Sequence, residues 1–322
     1  MMQNTSCFLS KDASDAIKGL LIILIVFGHN HVLAPNTENG GIMSYLYHFH
    51  VIAFFILPFF YQRSNAVGIK KMADTFIRCI VPYFWTCIAC WLVYSVFNHS
   101  YTLGPEHVLA FLNGTQSPLN ECFGFIFPWF LPTYCSFSIL LMVARRWSLV
   151  YIGLAVASLL TWFLSWEAFF SLKQILPLGL AIAVMYFGYG MVCFHLNKYC
   201  KWCKYVGAVI FIILSIAYWS GLQWGWVYSH LLPISFFMSV LAIEPLLKFK
   251  WLKVLGQHSI VIYLLNVFIE NAVYQYMSHT FFGGMVGVAM AIFIPLYLNK
   301  GFSYYPELKK YFLPRSLSDF MK

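Results

Sequence analysis

Ten apolar stretches follow one another along this chain with little between them, and that succession confines the fold to helices in a bilayer. A helix needs about 20 residues to cross the hydrocarbon. The stretches lie at 16–34, 43–61, 76–97, 122–143, 148–166, 174–196, 205–222, 226–247, 258–276 and 281–299. In lipid the backbone must satisfy its own hydrogen bonds, and runs this long do so as helices. The expected class is all-α, a polytopic integral membrane protein of about ten spans, with residues 1–322 forming one transmembrane domain and no separate soluble domain. With 61% hydrophobic and 10% charged residues, a soluble fold of this length has too much apolar surface to bury.

The charges sort by connection. Lys11 and Lys18, then Arg63, Lys70, Lys71 and Arg78, then Arg145 and Arg146, fall on alternate sides of the spans. Lys198, Lys201 and Lys204 continue the series, followed by Lys248, Lys250 and Lys253, and by the tail with Lys300, Lys309, Lys310, Arg315 and Lys322. The intervening connections hold Lys173 as their one basic residue, beside Glu38, Glu106, Glu121 and Glu167. By the positive-inside rule both termini are expected in the cytoplasm. The net charge of +9 then reports topology and contact with anionic membrane lipids, not nucleic acid. The first span carries no small-residue cleavage site, so it is expected to be retained.

Nine cysteines include two C-x-x-C pairs, Cys87 with Cys90 and Cys200 with Cys203. Neither has a partner pair at zinc-site spacing, so small apolar packing roles are expected. The longest outer stretch, residues 98–121, is polar and carries the turn signals Gly104-Pro105 and Asn113-Gly114. It is the candidate lid or substrate-facing loop.

Chemistry is sought where polar groups enter the hydrocarbon, since each costs a few kcal/mol there. The first span holds Asp15, Lys18 and His29. At 100° per residue, eleven steps from Lys18 to His29 leave a rotation of about 20°, so the three side chains share one face. Lys18 and His29 are about 16 Å apart along the axis. Imidazole, with an ordinary pKa near 6.5, suits a general base. The bland alternative makes Asp15 and Lys18 an interfacial anchor and gives His29 a neighbouring carbonyl. The second span returns His48 and His50 to a similar depth, where a zinc cluster of these with His29 and His31 is the alternative. Residues two apart on a helix diverge by about 200° and no carboxylate or Cys completes the set, so no metal is expected.

On the ninth span Tyr263, Asn266, Glu270 and Tyr274 form one stripe, which places Glu270 toward the protein interior as a second acid/base group or a satisfied structural carboxyl. Arg78, four residues before Pro82, meets a phosphate or snorkels to the interface. Trp129-Phe130-Leu131-Pro132 opens the fourth span with an aromatic and a helix breaker.

Taken in order, these landmarks resemble the membrane-bound acyltransferase 3 family, particularly its sugar O-acetylase branch. Asp15, Lys18-Gly19 and Gly28-His29 are similar to the family's opening, including a basic residue eleven positions before the His. Phe49-His50-Val51-Ile52-Ala53-Phe54-Phe55 resembles its second-span motif and Arg78-Cys79-Ile80-Val81-Pro82-Tyr83 its third. Trp129 to Pro132, Gly188-Tyr189-Gly190 and Leu255 to Tyr263 are similar to later landmarks. Departures are Pro58-Phe59 where Ser-Gly is common, Asn266 where a His is common, and Lys18 where Arg is commoner.

The resemblance implies an enzyme of the bacterial inner membrane that moves an acetyl group from acetyl-CoA to a hydroxyl of a surface polysaccharide or lipid-linked glycan. The donor is a substrate, and no permanently bound cofactor is expected. In that reading His29 is the base or acyl carrier, with Asp15 and Glu270 as further catalytic groups. Lys18, Lys70, Lys71 and Arg78 hold the donor phosphates. His48, His50, Trp129 and Asn266 face the acceptor. The rival from another class is a transporter or flippase of a lipid-linked saccharide, for which repeated halves or paired broken helices are expected and none is visible in the sequence.

Overall fold

The computed structural model describes residues 8–36, 40–61, 68–99, 101–222, 224–277 and 279–320. Glu38, Arg63 and Lys322, used above to orient the chain, lie outside the described residues. Among the described residues regular structure is helical, apart from an isolated bridge between Leu9 and Tyr61. The chain divides into two compact units, Met1–Arg63 with Tyr189–Gly301, and Ser64–Gly188 with Phe302–Lys322.

The first unit opens with α1, Lys11–His29. Ser10 caps it, its Oγ accepting from the Ala13 N–H at 3.1 Å, and Asp12 in the first turn complements the helix dipole. The second apolar stretch is broken into α2 (Ile42–Tyr47) and α3 (His50–Ile56), which runs on as a 3₁₀ turn over Leu57–Phe60. The break falls at His48-Phe49, where Phe49 leaves helical geometry at φ −139°.

In the second unit α4 (Ile69–Asn98) keeps Pro82 inside it. The proline removes one backbone donor, and Thr86 Oγ donates to Pro82 O at 2.7 Å just beyond it. Next come α5 (Pro105–Asn113), α6 (Gln116–Phe123), α7 (Phe130–Arg146), α8 (Ser148–Thr161) and α9 (Trp166–Ile175). Residues 98–121, expected as a loop, are largely the two short helices α5 and α6. They are tied down: Tyr83 stacks on Phe111 at 4.6 Å and donates to its carbonyl at 2.9 Å. Asn113 Nδ2 donates to the carbonyls of Lys173 and Gln174 on α9, at 3.2 and 2.6 Å. The segment is therefore packed helix for most of its length rather than an open loop.

The remaining helices are α10 (Leu180–Tyr199), α11 (Cys203–Trp219), α12 (Gly225–Ile243), α13 (Lys250–Gln257), α14 (Ser259–Tyr276), α15 (Phe281–Tyr304), α16 (Pro306–Phe312) and α17 (Leu317–Phe320). Two contacts tie the tail to α4: the Leu317 N–H donates to Asp74 Oδ1 at 2.9 Å, and Trp85 Nε1 donates to Tyr311 O at 3.0 Å.

Among the described residues six helices are long and apolar enough to cross a membrane, and a seventh follows if α13 and α14, bent by 79°, count as one span. The other three apolar stretches are α1, whose first turns carry Lys11, Asp12, Asp15 and Lys18, and the shorter α8 and α11, of 14 and 17 residues. This is a multi-pass helical membrane protein.

Candidate active site

Glycine sets how α1 is held. A Cβ on Gly19 would sit 2.0 Å from Leu252 O, and one on Gly256 would sit 1.7 Å from Asp15 O. The backbones of α1 and α13 therefore touch, as small residues allow inside membranes. Polar contacts seal the same seam. Lys18 Nζ pairs with Asp15 Oδ1 at 2.5 Å, Gln257 Nε2 donates to Asp15 Oδ2 at 3.3 Å, and Lys253 pairs with Asp12 at 2.5 Å. Asp15 is buried while Lys18 keeps a partly exposed side chain. At the bend after α13, Asn299 Nδ2 donates to His258 Nδ1 at 2.7 Å.

At the other end of α1 the seam passes to α14. His29 Nδ1 lies 3.0 Å from Asn266 Oδ1, and Asn266 Nδ2 donates to Tyr263 O at 2.9 Å. The second bond fixes which way the amide faces, so its oxygen meets His29 and the imidazole must carry its proton on Nδ1. Nε2 is left with its lone pair in the neutral ring. His29 is half-buried, with the exposed Tyr47 ring 6.3 Å away, whereas Asn266 is fully buried. An acceptor-capable nitrogen at the half-open end of a rigid seam is the arrangement a general base needs.

The stripe on α14 faces inward. Tyr263, Asn266 and Glu270 are buried, and neither Glu270 oxygen nor the Tyr274 hydroxyl makes a hydrogen bond. Asn30, fully buried, stands beside the Glu270 carboxyl, but its Nδ2 donates to Gly284 O at 3.0 Å and its Oδ1 accepts from the Leu33 N–H at 3.0 Å. Sequence reasoning missed Asn30 and Gln257. The first was detectable as an amide inside an apolar run beside His29.

His50 is fully buried: Nδ1 bonds Leu46 O, Nε2 has no partner, and Tyr47 meets the ring edge-on at 5.0 Å. His48 instead lies among Tyr218 and Tyr228, at 5.9 and 6.2 Å. The helix break does not turn the two toward one centre. Among the described residues no three His, Cys, Asp or Glu side chains are grouped to hold a metal.

Lys70, Lys71, Arg78 and Trp129 belong to the second unit. Lys70 and Arg78 are exposed on α4, Lys71 is half-buried, and Trp129 is buried in the 3₁₀ turn that leads into α7.

The first unit thus holds an oriented imidazole at the end of a packed seam. Residues 11–300 match the acyltransferase 3 family, described as an acyltransferase domain, and the chain belongs to that family. No curated protein and no solved structure matches it.

Proposed function

We propose that this protein is an O-acetyltransferase of the bacterial inner membrane that moves acetyl from acetyl-CoA to a hydroxyl of a surface polysaccharide or its lipid-linked precursor. The observation that carries this reading is the His29, Asn266 and Tyr263 relay of hydrogen bonds in a chain of acyltransferase family. His29 Nε2 takes the acceptor's hydroxyl proton as the oxygen attacks the thioester carbonyl. The tetrahedral oxyanion collapses to the ester, and CoA leaves as its thiol with the proton that His29 held.

The proposal includes ten spans with both termini in the cytoplasm, on the alternation of basic connections. Lys18, Lys70, Lys71 and Arg78 then stand at the donor's side as phosphate-binding cations. Asp15 holds Lys18, and Asn266 holds His29 instead of touching the acceptor. His48, His50 and Trp129 are kept for the acceptor and Glu270 for a second proton site. Between Lys18 and His29 on the same face of α1, Ile22 and Ile25 are each 1% exposed, so these side chains must part if the pantetheine arm follows that face.

Membranes containing the protein, given acetyl-labelled acetyl-CoA and glycan, are expected to place label in the glycan as an alkali-labile ester. Saccharide crossing the membrane with the donor unconsumed would favour the transporter. Asn266→Ala, which frees the His29 ring, is expected to lower kcat about fivefold, the worth of a hydrogen bond of ~1 kcal/mol, while the KM for donor stays put. A change in KM alone would place Asn266 on the substrate.

A further inference from the structure

The two C-x-x-C pairs separate in the structure. Cys87 and Cys90 are buried in α4, as expected of packing residues, whereas Cys200 and Cys203 are half-exposed in the connection from α10 to α11. There the Cys203 N–H donates to Cys200 O at 3.1 Å and closes a four-residue turn. Such a turn holds its end Cα atoms within about 7 Å, and i,i+3 side chains in 3₁₀-like geometry fall on one side. A disulfide spans Cα separations of about 4.4–6.8 Å.

The surroundings favour a thiolate at one of the two positions. The Cys203 thiol and the backbone N–H groups of Trp202 and Cys203 favour negative charge on the Cys200 sulfur. The bond from Cys203, with those backbone donors, holds the Cys200 thiol below its ordinary pKa and leaves Cys203 as the protonated partner. Lys198, Lys201 and Lys204 punctuate the same seven residues. Tyr199 and Trp202 are 75% and 74% exposed, so the turn is open to small reagents. Among the described residues no third His, Cys, Asp or Glu joins the sulfurs, so the pair falls short of a tetrahedral metal site.

We propose that Cys200 and Cys203 form a redox-active dithiol that a peroxide closes to a disulfide and a dithiol reductant reopens. The Cys200 thiolate attacks one peroxide oxygen, the O–O bond breaks, and Cys200 becomes a sulfenic acid while the other oxygen leaves as alcohol or water. The Cys203 sulfur then attacks the Cys200 sulfur, loses its proton and expels water. Two thiols and one peroxide give one disulfide, one alcohol or water, and one water. The sulfurs give up two electrons and the peroxide takes them. Its resting state rests on the topology proposed above, which puts this connection in the reducing cytoplasm.

The test uses the full chain in native membranes, treated with hydrogen peroxide, alkylated, digested and read by mass spectrometry. The segment holding both cysteines is expected to lose about 2 Da and escape alkylation, with dithiothreitol reversing both changes. In Cys203→Ser, dimedone is expected to trap a sulfenic acid on Cys200; Cys200→Ser is expected to give no adduct at Cys203. Full alkylation of both thiols after a peroxide dose that oxidises added glutathione would overturn the proposal. So would an adduct at Cys203 in place of Cys200. A disulfide already complete in untreated cells would uphold the dithiol while contradicting the cytoplasmic placement.

Discussion

His29→Ala is expected to reduce acyl transfer by about 10²–10⁴-fold, the range that a positioned general base supplies. The reduction should appear in kcat, with the KM for acetyl-CoA little changed, because in the proposed mechanism His29 acts on the acceptor's proton. The folded protein should survive. His29 is half-buried, and its removal leaves one acceptor, Asn266 Oδ1, short of a partner at a cost of about 1–3 kcal/mol. Kinetics on purified protein in lipid, with thermal unfolding of the same samples, check both halves. Loss of activity together with loss of folded protein would make His29 a structural residue.

Gly19→Ala and Gly256→Ala are expected to act on the fold instead. Each added methyl would lie 2.0 Å or less from a backbone carbonyl oxygen of the facing helix, and backbone does not yield as a flexible side chain can. The seam between α1 and α13 has to part, and with it go the Asp15 bond to Gln257 and the placement of His29 against α14. Overpacking alone costs about 1–3 kcal/mol, so each variant should unfold at lower temperature and accumulate poorly in membranes. Gly28 is the control on the same helix. A Cβ there would meet Leu46 Cδ1 at 3.5 Å, an ordinary contact, so Gly28→Ala should keep its stability. Equal stability of Gly19→Ala and Gly28→Ala would show that α1 and α13 do not meet as described.

Much of this was legible from periodicity. The shared face of Asp15, Lys18 and His29 and the inward stripe on α14 both follow from 100° per residue, because helical geometry is local. What meets those faces is not local. The Asn266 amide that sets the His29 tautomer is 237 residues away, and its sequence signal was only a departure from the family's usual His. The close approach at Gly19 and Gly256 was likewise hidden, since a glycine in a span does not announce which backbone lies against it. Two helix interruptions escaped as well. The break at His48-Phe49 contains neither glycine nor proline, and His258 at the bend is bonded by Asn299, from a helix later in the chain. Residues 98–121 misled for a different reason, since polar composition says that they meet water but not that α5 and α6 fold against α4 and α9.

The most direct measurement is the O-acetyl content of surface glycan, by NMR, from cells lacking this protein and complemented with the native chain or with His29→Ala at matched membrane levels. The account predicts O-acetyl signals restored by the native chain and absent with His29→Ala. Unchanged acetylation on deletion, or full restoration by His29→Ala, would contradict it.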